Sequence, residues 1–487
     1  MKNSAIKILK AVIAKKNVEK LTKKLNKKTI FTGIFLFLVL VVSFYLIKPY
    51  FINFNINKQL IEKKIKEEFK IDLEMNGNIS YHILPTPRLK IRETNIYFEK
   101  KKNIISLNEI NILIPIFYNL NINNLIFKKL IISDEEIKIY PTDIKKYFTY
   151  LTRKKKKDII IKNSILFFLD DQKNKVFFKD FNYYEKFRDN FHTIDINTIF
   201  SQNNLKVKFK NVFDGQKKLD IILPQIETKI NTVFDSTSDL NNLQGKSKIN
   251  FFNNILVINF EGKNKYKIFN SFLRNKFLNT KIEGSISLFD NFLFFLKFDI
   301  NQIKLRKLLL NYFPDEKELN FFDSKLSKKI NGKLDISLKN TNSFIGRIND
   351  LKMNISFENG DLKVQNGSAI LPNKSKVDFS LFFSDNSNEP FLDFNLNFSS
   401  KNVQNFLRKL NIYEKYNDEI LIVFQGKINL INNKIKFKNI LLNNKEKLDR
   451  QDIVKLEKSF NEFVLDEGIF GLTDFFKIKK FVKSVLN

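Results

Sequence analysis

The sequence predicts a mainly β protein with short helices. An N-terminal transmembrane helix is followed by a long curled antiparallel β-sheet with an open apolar groove, then by C-terminal amphipathic helices. Three observations predict this. Residues 30–47, IFTGIFLFLVLVVSFYLI, run for 18 residues without a charge. Beyond about residue 70, apolar and polar residues alternate with the period of two that marks a half-buried strand. The alternating runs are separated by Asn, Gly and Asp, which tolerate the backbone of tight hairpin turns.

The apolar run comes first. With Tyr50 and Phe51 it reaches about 30 Å at the helical rise, the thickness of a hydrocarbon core. A cleaved signal peptide has a shorter apolar region ending in a small-x-small site. Here the run ends SFYLIKPYF, with bulky residues where small ones are needed. An uncleaved anchor is therefore the reading. Lys23, Lys24, Lys27 and Lys28 flank it on one side and Lys48 on the other. Residues 1–29 carry ten Lys against the single acid Glu19. The positive-inside rule places that basic tail in the cytoplasm and the bulk outside. The expected organisation is a tail (1–29), a membrane helix (30–51), a membrane-proximal helix with the first hairpins (52–152), an elongated β-groove (153–445) and C-terminal helices (446–487).

After the anchor, residues 56–69 read as a short amphipathic helix with Leu60, Ile61 and Ile65 on its apolar side. Strands then follow. NISYHILPTPRLKIRETNIYF (78–98) reads as two strands hinged at Pro85 and Pro87, with His82 beside Ser80 on the polar face. GKLDISLKN places Leu334, Ile336 and Leu338 on one face. NDLKMNISFENGDLKV adds Leu351, Met353, Ile355 and Phe357 before a turn at Asn359-Gly360. SKVDFSLFF adds Phe379 and Leu381, and PFLDFNLNF adds Leu392, Phe394, Leu396 and Phe398, with Asp393, Asn395 and Asn397 opposite. These thirteen apolar residues are the candidate groove lining. A loose unit recurs: Gly-Lys, strand, Asn-Asn, strand, at 245–260 and 426–439, and an opening glycine recurs at 283–298 and 331–340. Short helices are expected at 267–279, 300–313 and 401–413. RKKKKD (153–158) reads as a solvated junction. Two amphipathic helices, 452–465 and 472–486, are expected at the end, packed on the sheet or on a membrane surface.

Composition excludes several function classes. The net charge is +32, but Lys is spread through polar strand positions and Arg numbers only nine, so nucleic acid is not an expected partner. There is no Cys, which removes disulfides, thiolate metal sites and Cys nucleophiles. His82 and His192 are too few for a histidine metal site. No HExxH, GxSxG, GxxxxGK[ST] or GxGxxG is present. Adjacent Asp170 and Asp171 point to opposite faces of a strand and cannot form a dyad. Asp134-Glu135-Glu136 reads as a turn. Neither catalysis nor a cofactor is expected.

An apolar sheet face must be covered. With few helices to cover it, a groove lined by Phe, Leu and Ile is suited to acyl chains, each buried methylene contributing about 0.8 kcal/mol. The order of segments resembles the AsmA family of Gram-negative envelope proteins. The residues carrying the likeness are the anchor, INKQLIEKKIKEEF, NGNISYHILPTPRLKIRETNIYF, the stretch 110–140, and the later NGKLDISL, ENGDLKVQNGSAILPNKSKVDFSLFF and FNLNFSSKNVQNFLRKL. One departure is FKIDLEMNG, which lacks the glycine usual at the end of the first helix. The resemblance implies an inner-membrane-anchored periplasmic protein that binds phospholipid and supports outer-membrane assembly. A scaffold that offers sheet edges to envelope assembly proteins, without lipid transport, is the alternative.

Overall fold

The structure, a computed structural model, describes residues 27–97, 104–115, 125–140, 157–169, 175–188, 190–212, 215–235, 242–287, 292–304, 307, 331–343, 346–371, 375–384, 390–409, 411–413, 419–443, 446–466, 471 and 474–486. Lys23, Lys24, Asp170, Asp171, residues 153–156 and most of the helix expected at 300–313 lie outside them. The chain divides into two compact units, one up to Leu205 and one from Lys206.

The first unit opens with α1 (Lys27–Ile47), a 3₁₀ turn (Lys48–Phe51) and α2 (Lys58–Phe69). Its strands are β1 (Asp72–Met75), β2 (Ile79–His82), β3 (Arg88–Tyr97), β4 (Ile104–Leu113), β5 (Lys129–Ser133), β6 (Glu136–Ile139), β7 (Asp158–Leu169), β8 (Lys175–Arg188) and β9 (Phe191–Phe200). The segment Phe31–Phe51 is long and apolar enough to cross a membrane, with a mean hydropathy of 2.3, and its apolar window is not buried against protein.

β1 and β2 are two halves of one interrupted strand, both paired with β3. Gly77 sits at the interruption because a Cβ there would lie 2.5 Å from the Arg92 carbonyl oxygen. The expected strand–proline–strand hairpin is therefore present, with residues 83–87 as its tip. His82 pairs through Nε2 with Ser80 Oγ at 3.1 Å on the polar face, as its alternation implies.

α2 covers the inner face of this sheet. Ile61, Ile65 and Phe69 recur at four-residue spacing, and all three are fully buried among Leu89, Ile91, Ile110, Ile112 and Leu130. Its polar side chains also tie down strand ends: Glu62 accepts the Met75 N–H at 2.8 Å, and Lys64 Nζ donates to the Leu125 carbonyl at 3.0 Å. Where the family resemblance leads one to expect glycine, Lys70 takes the left-handed conformation itself (φ 58°), and its N–H bonds the Lys66 carbonyl at 3.1 Å. A non-glycine residue tolerates this at a cost of about 1–2 kcal/mol.

The second unit begins within β10 (Asn203–Val212). It continues through β11 (Lys217–Leu223), β12 (Thr228–Phe234), β13 (Leu243–Phe251), β14 (Asn254–Gly262), β15 (Lys265–Arg274), β16 (Leu278–Ser287), β17 (Leu293–Ile303), β18 (Asn331–Ser343), β19 (Gly346–Glu358), β20 (Asp361–Ile370), β21 (Lys376–Ser384), β22 (Phe391–Ser400), α3 (Val403–Lys409), β23 (Ile420–Asn429), β24 (Lys434–Leu442) and β25 (Glu446–Lys447). Two helices end the chain: α4 (Arg450–Phe463), capped by the Asp449 carboxylate accepting the Asp452 N–H at 2.8 Å, and α5 (Phe475–Leu486).

Three expectations need correction. Residues 267–279 are not a helix but lie mostly in β15 and β16. A β-bulge with Asn270 at φ 45° shifts the phase, so Tyr266, Ile268 and Ser271 are the buried positions. The extra residue turns a spacing of two into three, which imitates a helical period. Residues 300–303 likewise continue β17 rather than opening a helix. The pairing is also not wholly antiparallel. β17 and β18 run parallel, as do β5 and β6 against β7, and each parallel pair spans a long connection. Lastly, the sheet is open and uncurled, where a curled groove is expected. Alternation selects an apolar face but does not encode how far the sheet bends.

Candidate apolar face

Register brings the candidate groove residues together. Leu334, Ile336 and Leu338 on β18 stand directly opposite Ile355, Met353 and Leu351 on β19. Asn359 (φ 53°) and Gly360 (φ 97°) turn the chain into β20. There Val364 pairs with both Ile355 and Leu381, so it links β19 to β21. Phe379 and Leu381 then face Leu396 and Phe394 on β22, and Phe398 faces Val377 and Ile422. All thirteen share one face of β18–β22. The same face continues backward through Leu296 and Phe298 on β17, which pair with Leu334 and Ile336.

The recurrent glycines belong to this face. A Cβ on Gly332 would lie 2.7 Å from the Phe294 ring, on Gly367 2.4 Å from Phe379, and on Gly426 2.7 Å from Phe394. Each glycine thus makes room for a phenylalanine ring lying across it from the next strand.

The face is covered unevenly. At β22–β24 the described helices pack on it. Phe398 meets Phe406 of α3 with ring centroids 5.0 Å apart. Leu392 and Phe394 pack against the group of Ile428, Ile435 and Leu465, with Phe437 and Phe460 alongside. Phe460 of α4 meets Phe481 of α5 at 4.9 Å. The C-terminal helices therefore pack on the end of the sheet. Over β18 and β19, by contrast, Leu334, Ile336, Leu351, Met353, Ile355 and Phe357 remain half-buried, while Leu338 is nearly fully buried (4% exposed).

The opposite face carries ion pairs and polar hydrogen bonds. Asp393 meets Lys427 at 3.4 Å and Lys438 at 3.2 Å, and Asn354 donates to Asp335 at 2.6 Å. Asp299 accepts from the Ser337 hydroxyl. That bond holds its carboxyl below the usual range against partial desolvation, with Lys297 adding to the effect.

The free edge of β24 is occupied. Asn461 Oδ1 of α4 accepts the Ile435 N–H at 2.9 Å, and Glu457 accepts the Phe437 N–H at 2.7 Å. Further along, β25 pairs with Leu441 and Leu442.

At the other end of the chain, the first hairpin holds the anchor. Tyr81 of β2 donates to the Leu46 carbonyl of the last turn of α1 at 3.2 Å, and its ring meets Tyr50 edge-on at 5.5 Å. Burial, then the neighbouring Tyr50, pushes its phenol above the ordinary value. Tyr81→Phe leaves a helix-end carbonyl without this donor and should loosen the junction by about 1 kcal/mol. Hydrogen exchange of the residues around 46–55 checks this; unchanged exchange refutes the tie. Lys48, a predicted membrane-flanking residue, opens the 3₁₀ turn at this junction, and Lys27 and Lys28 lie at the start of α1.

Two buried polar arrangements escape sequence reading. Asp134 turns at φ 59° between β5 and β6, and the buried Glu135 fills the gap by accepting the N–H groups of Asn108 (3.1 Å) and Glu109 (2.7 Å). This is the expected DEE turn, with an unexpected structural carboxylate. His192, 1% exposed, pairs with the fully buried Glu185 at 2.9 Å and stacks on Phe187 at 4.2 Å. Among the described residues no group of three His, Cys, Asp or Glu is placed to hold a metal ion.

No family model matches the chain, and neither does any curated protein or solved structure.

Proposed function

We propose that this is an AsmA-like, membrane-anchored envelope protein that binds phospholipid acyl chains on the apolar face of its sheet. In this reading α1 spans the inner membrane with the N-terminus cytoplasmic. The β-rich bulk lies in the periplasm, and the protein supports outer-membrane lipid homeostasis and assembly by conducting lipid along the face, without catalysis. One observation carries it: a continuous apolar ladder across β17–β22 whose middle is only half-buried. Such a face gains by meeting hydrocarbon, at about 25 cal/mol per Å² removed from water. A continuous ladder also offers acyl chains equivalent positions from strand to strand, so movement along it needs no deep pocket.

The scaffold alternative asks for a free sheet edge. The C-terminal edge is already occupied by Glu457, Asn461 and β25, which favours the lipid reading over strand addition there. Native mass spectrometry of the full chain, extracted from membranes in amphipathic polymer and released in the gas phase, tests the proposal. Retained phospholipid at defined stoichiometry is expected. A lipid-free spectrum, together with crosslinks to an assembly protein alone, would reject it.

A further inference from the structure

β2 runs back alongside the segment that leaves α1. Two contacts fix its direction. Ile79 is tied to Asn55: its N–H donates to Asn55 Oδ1 at 2.8 Å, and its carbonyl accepts from Asn55 Nδ2 at 3.4 Å. Two residues on, Tyr81 touches Tyr50 and bonds the Leu46 carbonyl. As β2 advances from 79 to 81, its partners step back from 55 to 46, so the strand heads toward the apolar helix. Tyr81 already reaches the last turn of α1, two residues before Lys48, the first charge after the apolar run. The hairpin tip lies beyond it.

The composition of the tip fits such a position. Residues 83–87, Ile-Leu-Pro-Thr-Pro, carry no charge, and Leu84 is 78% exposed. That exposure leaves a large aliphatic side chain at the loop apex, free to meet hydrocarbon. The backbone of the tip is also partly satisfied from within. Arg88 Nη1 donates to the Leu84 carbonyl and to the Thr86 carbonyl, which lowers the cost of placing a loop next to hydrocarbon. Phe51 (84% exposed) and Ile56 (80% exposed) add aliphatic and aromatic surface at the same junction, while Lys48 and Arg88 supply cations suited to phosphate head groups.

We infer that the β2–β3 hairpin tip, with Leu84 at its apex, inserts into the interface of the bilayer leaflet from which α1 emerges, giving the first unit a second membrane contact. The inference rests on the anchor part of the proposed function and is independent of lipid transfer. The occupant is the bilayer that already holds α1, because the Tyr81–Leu46 bond makes the tip continuous with that boundary. Two membrane contacts, a helix and a loop, would fix the tilt of the first unit over the membrane, which a single helix leaves free to rotate.

The chain contains no tryptophan, so single Trp reporters are unambiguous. The full chain is reconstituted in phosphatidylethanolamine–phosphatidylglycerol vesicles with or without acyl-brominated phospholipid. Leu40→Trp reports α1, Leu84→Trp the tip, and Ser80→Trp, exposed on the same strand, the water-facing reference. The expected result is quenching of Leu40→Trp and, severalfold above Ser80→Trp, of Leu84→Trp, with a blue-shifted Leu84→Trp emission. Quenching of Leu40→Trp with Leu84→Trp no more quenched than Ser80→Trp would overturn the hairpin contact and leave the anchor standing. Absence of quenching at Leu40→Trp would overturn both.

Discussion

Phe69→Ala lowers the stability of the first unit by about 3–5 kcal/mol, the range for deleting a large buried aromatic side chain. Phe69 is fully buried, ends the Ile61–Ile65–Phe69 stripe of α2, and meets Phe127 with ring centroids 6.2 Å apart. The expected reading is a large fall in the denaturation midpoint of the first unit, with Glu67→Ala, exposed on the same helix, shifting it by less than about 0.5 kcal/mol. A loss below about 1 kcal/mol for Phe69→Ala would mean that α2 does not close the sheet. Over β1–β5 the apolar face is filled by the protein's own helix, whose Ile61, Ile65 and Phe69 are fully buried there.

Ile336→Asp combined with Met353→Asp reduces co-purified phospholipid at least about tenfold, because two carboxylates facing hydrocarbon cost well beyond the 1.4 kcal/mol that a tenfold change represents. The two residues stand directly opposite each other on β18 and β19, in the half-buried middle of the face. Phe394 and Phe398 are poorer targets although they lie on the same face. Both pack in the region held by the C-terminal helices, so charging them would disturb the fold as well as the face. Lys333→Asp, exposed on the opposite side of β18, is the matched control and should leave lipid content unchanged. Equal lipid in the double variant and the control, with unchanged circular dichroism, would remove the apolar face from the function.

The polar side of the sheet contributes little to such contrasts. Its ion pairs, such as Lys376–Asp378 at 2.7 Å and Lys352–Asp350 at 2.9 Å, are solvent-accessible, and exposed pairs of this kind are worth about 0–1 kcal/mol each. They keep charge on the side opposite the apolar ladder. The excess of Lys over acids on this side follows the same logic and needs no nucleic-acid partner.

Much of this was legible in the residues, for identifiable reasons. A charge-free run of 18 residues and a strict period of two are local patterns that need no tertiary information. They located α1, the hairpin at Pro85 and Pro87, the Asn359-Gly360 turn and the common face of all thirteen candidate residues. Reading by period failed where a single residue shifts phase. The bulge at Asn270 made β15 resemble a helix, and continuation of β17 through Ile303 hid behind similar spacing. The parallel pairing of β17 with β18 was equally invisible, because alternation is the same whichever way the neighbour runs.

What the sequence by itself determined is which residues are apolar together: the anchor, the inward side of α2 and one face of every strand. Tertiary structure alone decided what covers each surface. α2 covers β1–β5 of the first unit, α3, α4 and α5 pack at the C-terminal end of the second unit, and the middle of β18 and β19 is left half-buried. It also decided that Gly332, Gly367 and Gly426 lie under phenylalanine rings, that Glu135 and His192 are buried, and that the first hairpin is tied to the end of α1. The physical reason is range. Periodicity is set by neighbours two to four residues apart, whereas coverage depends on contacts between residues far apart in the chain, and no local pattern encodes them.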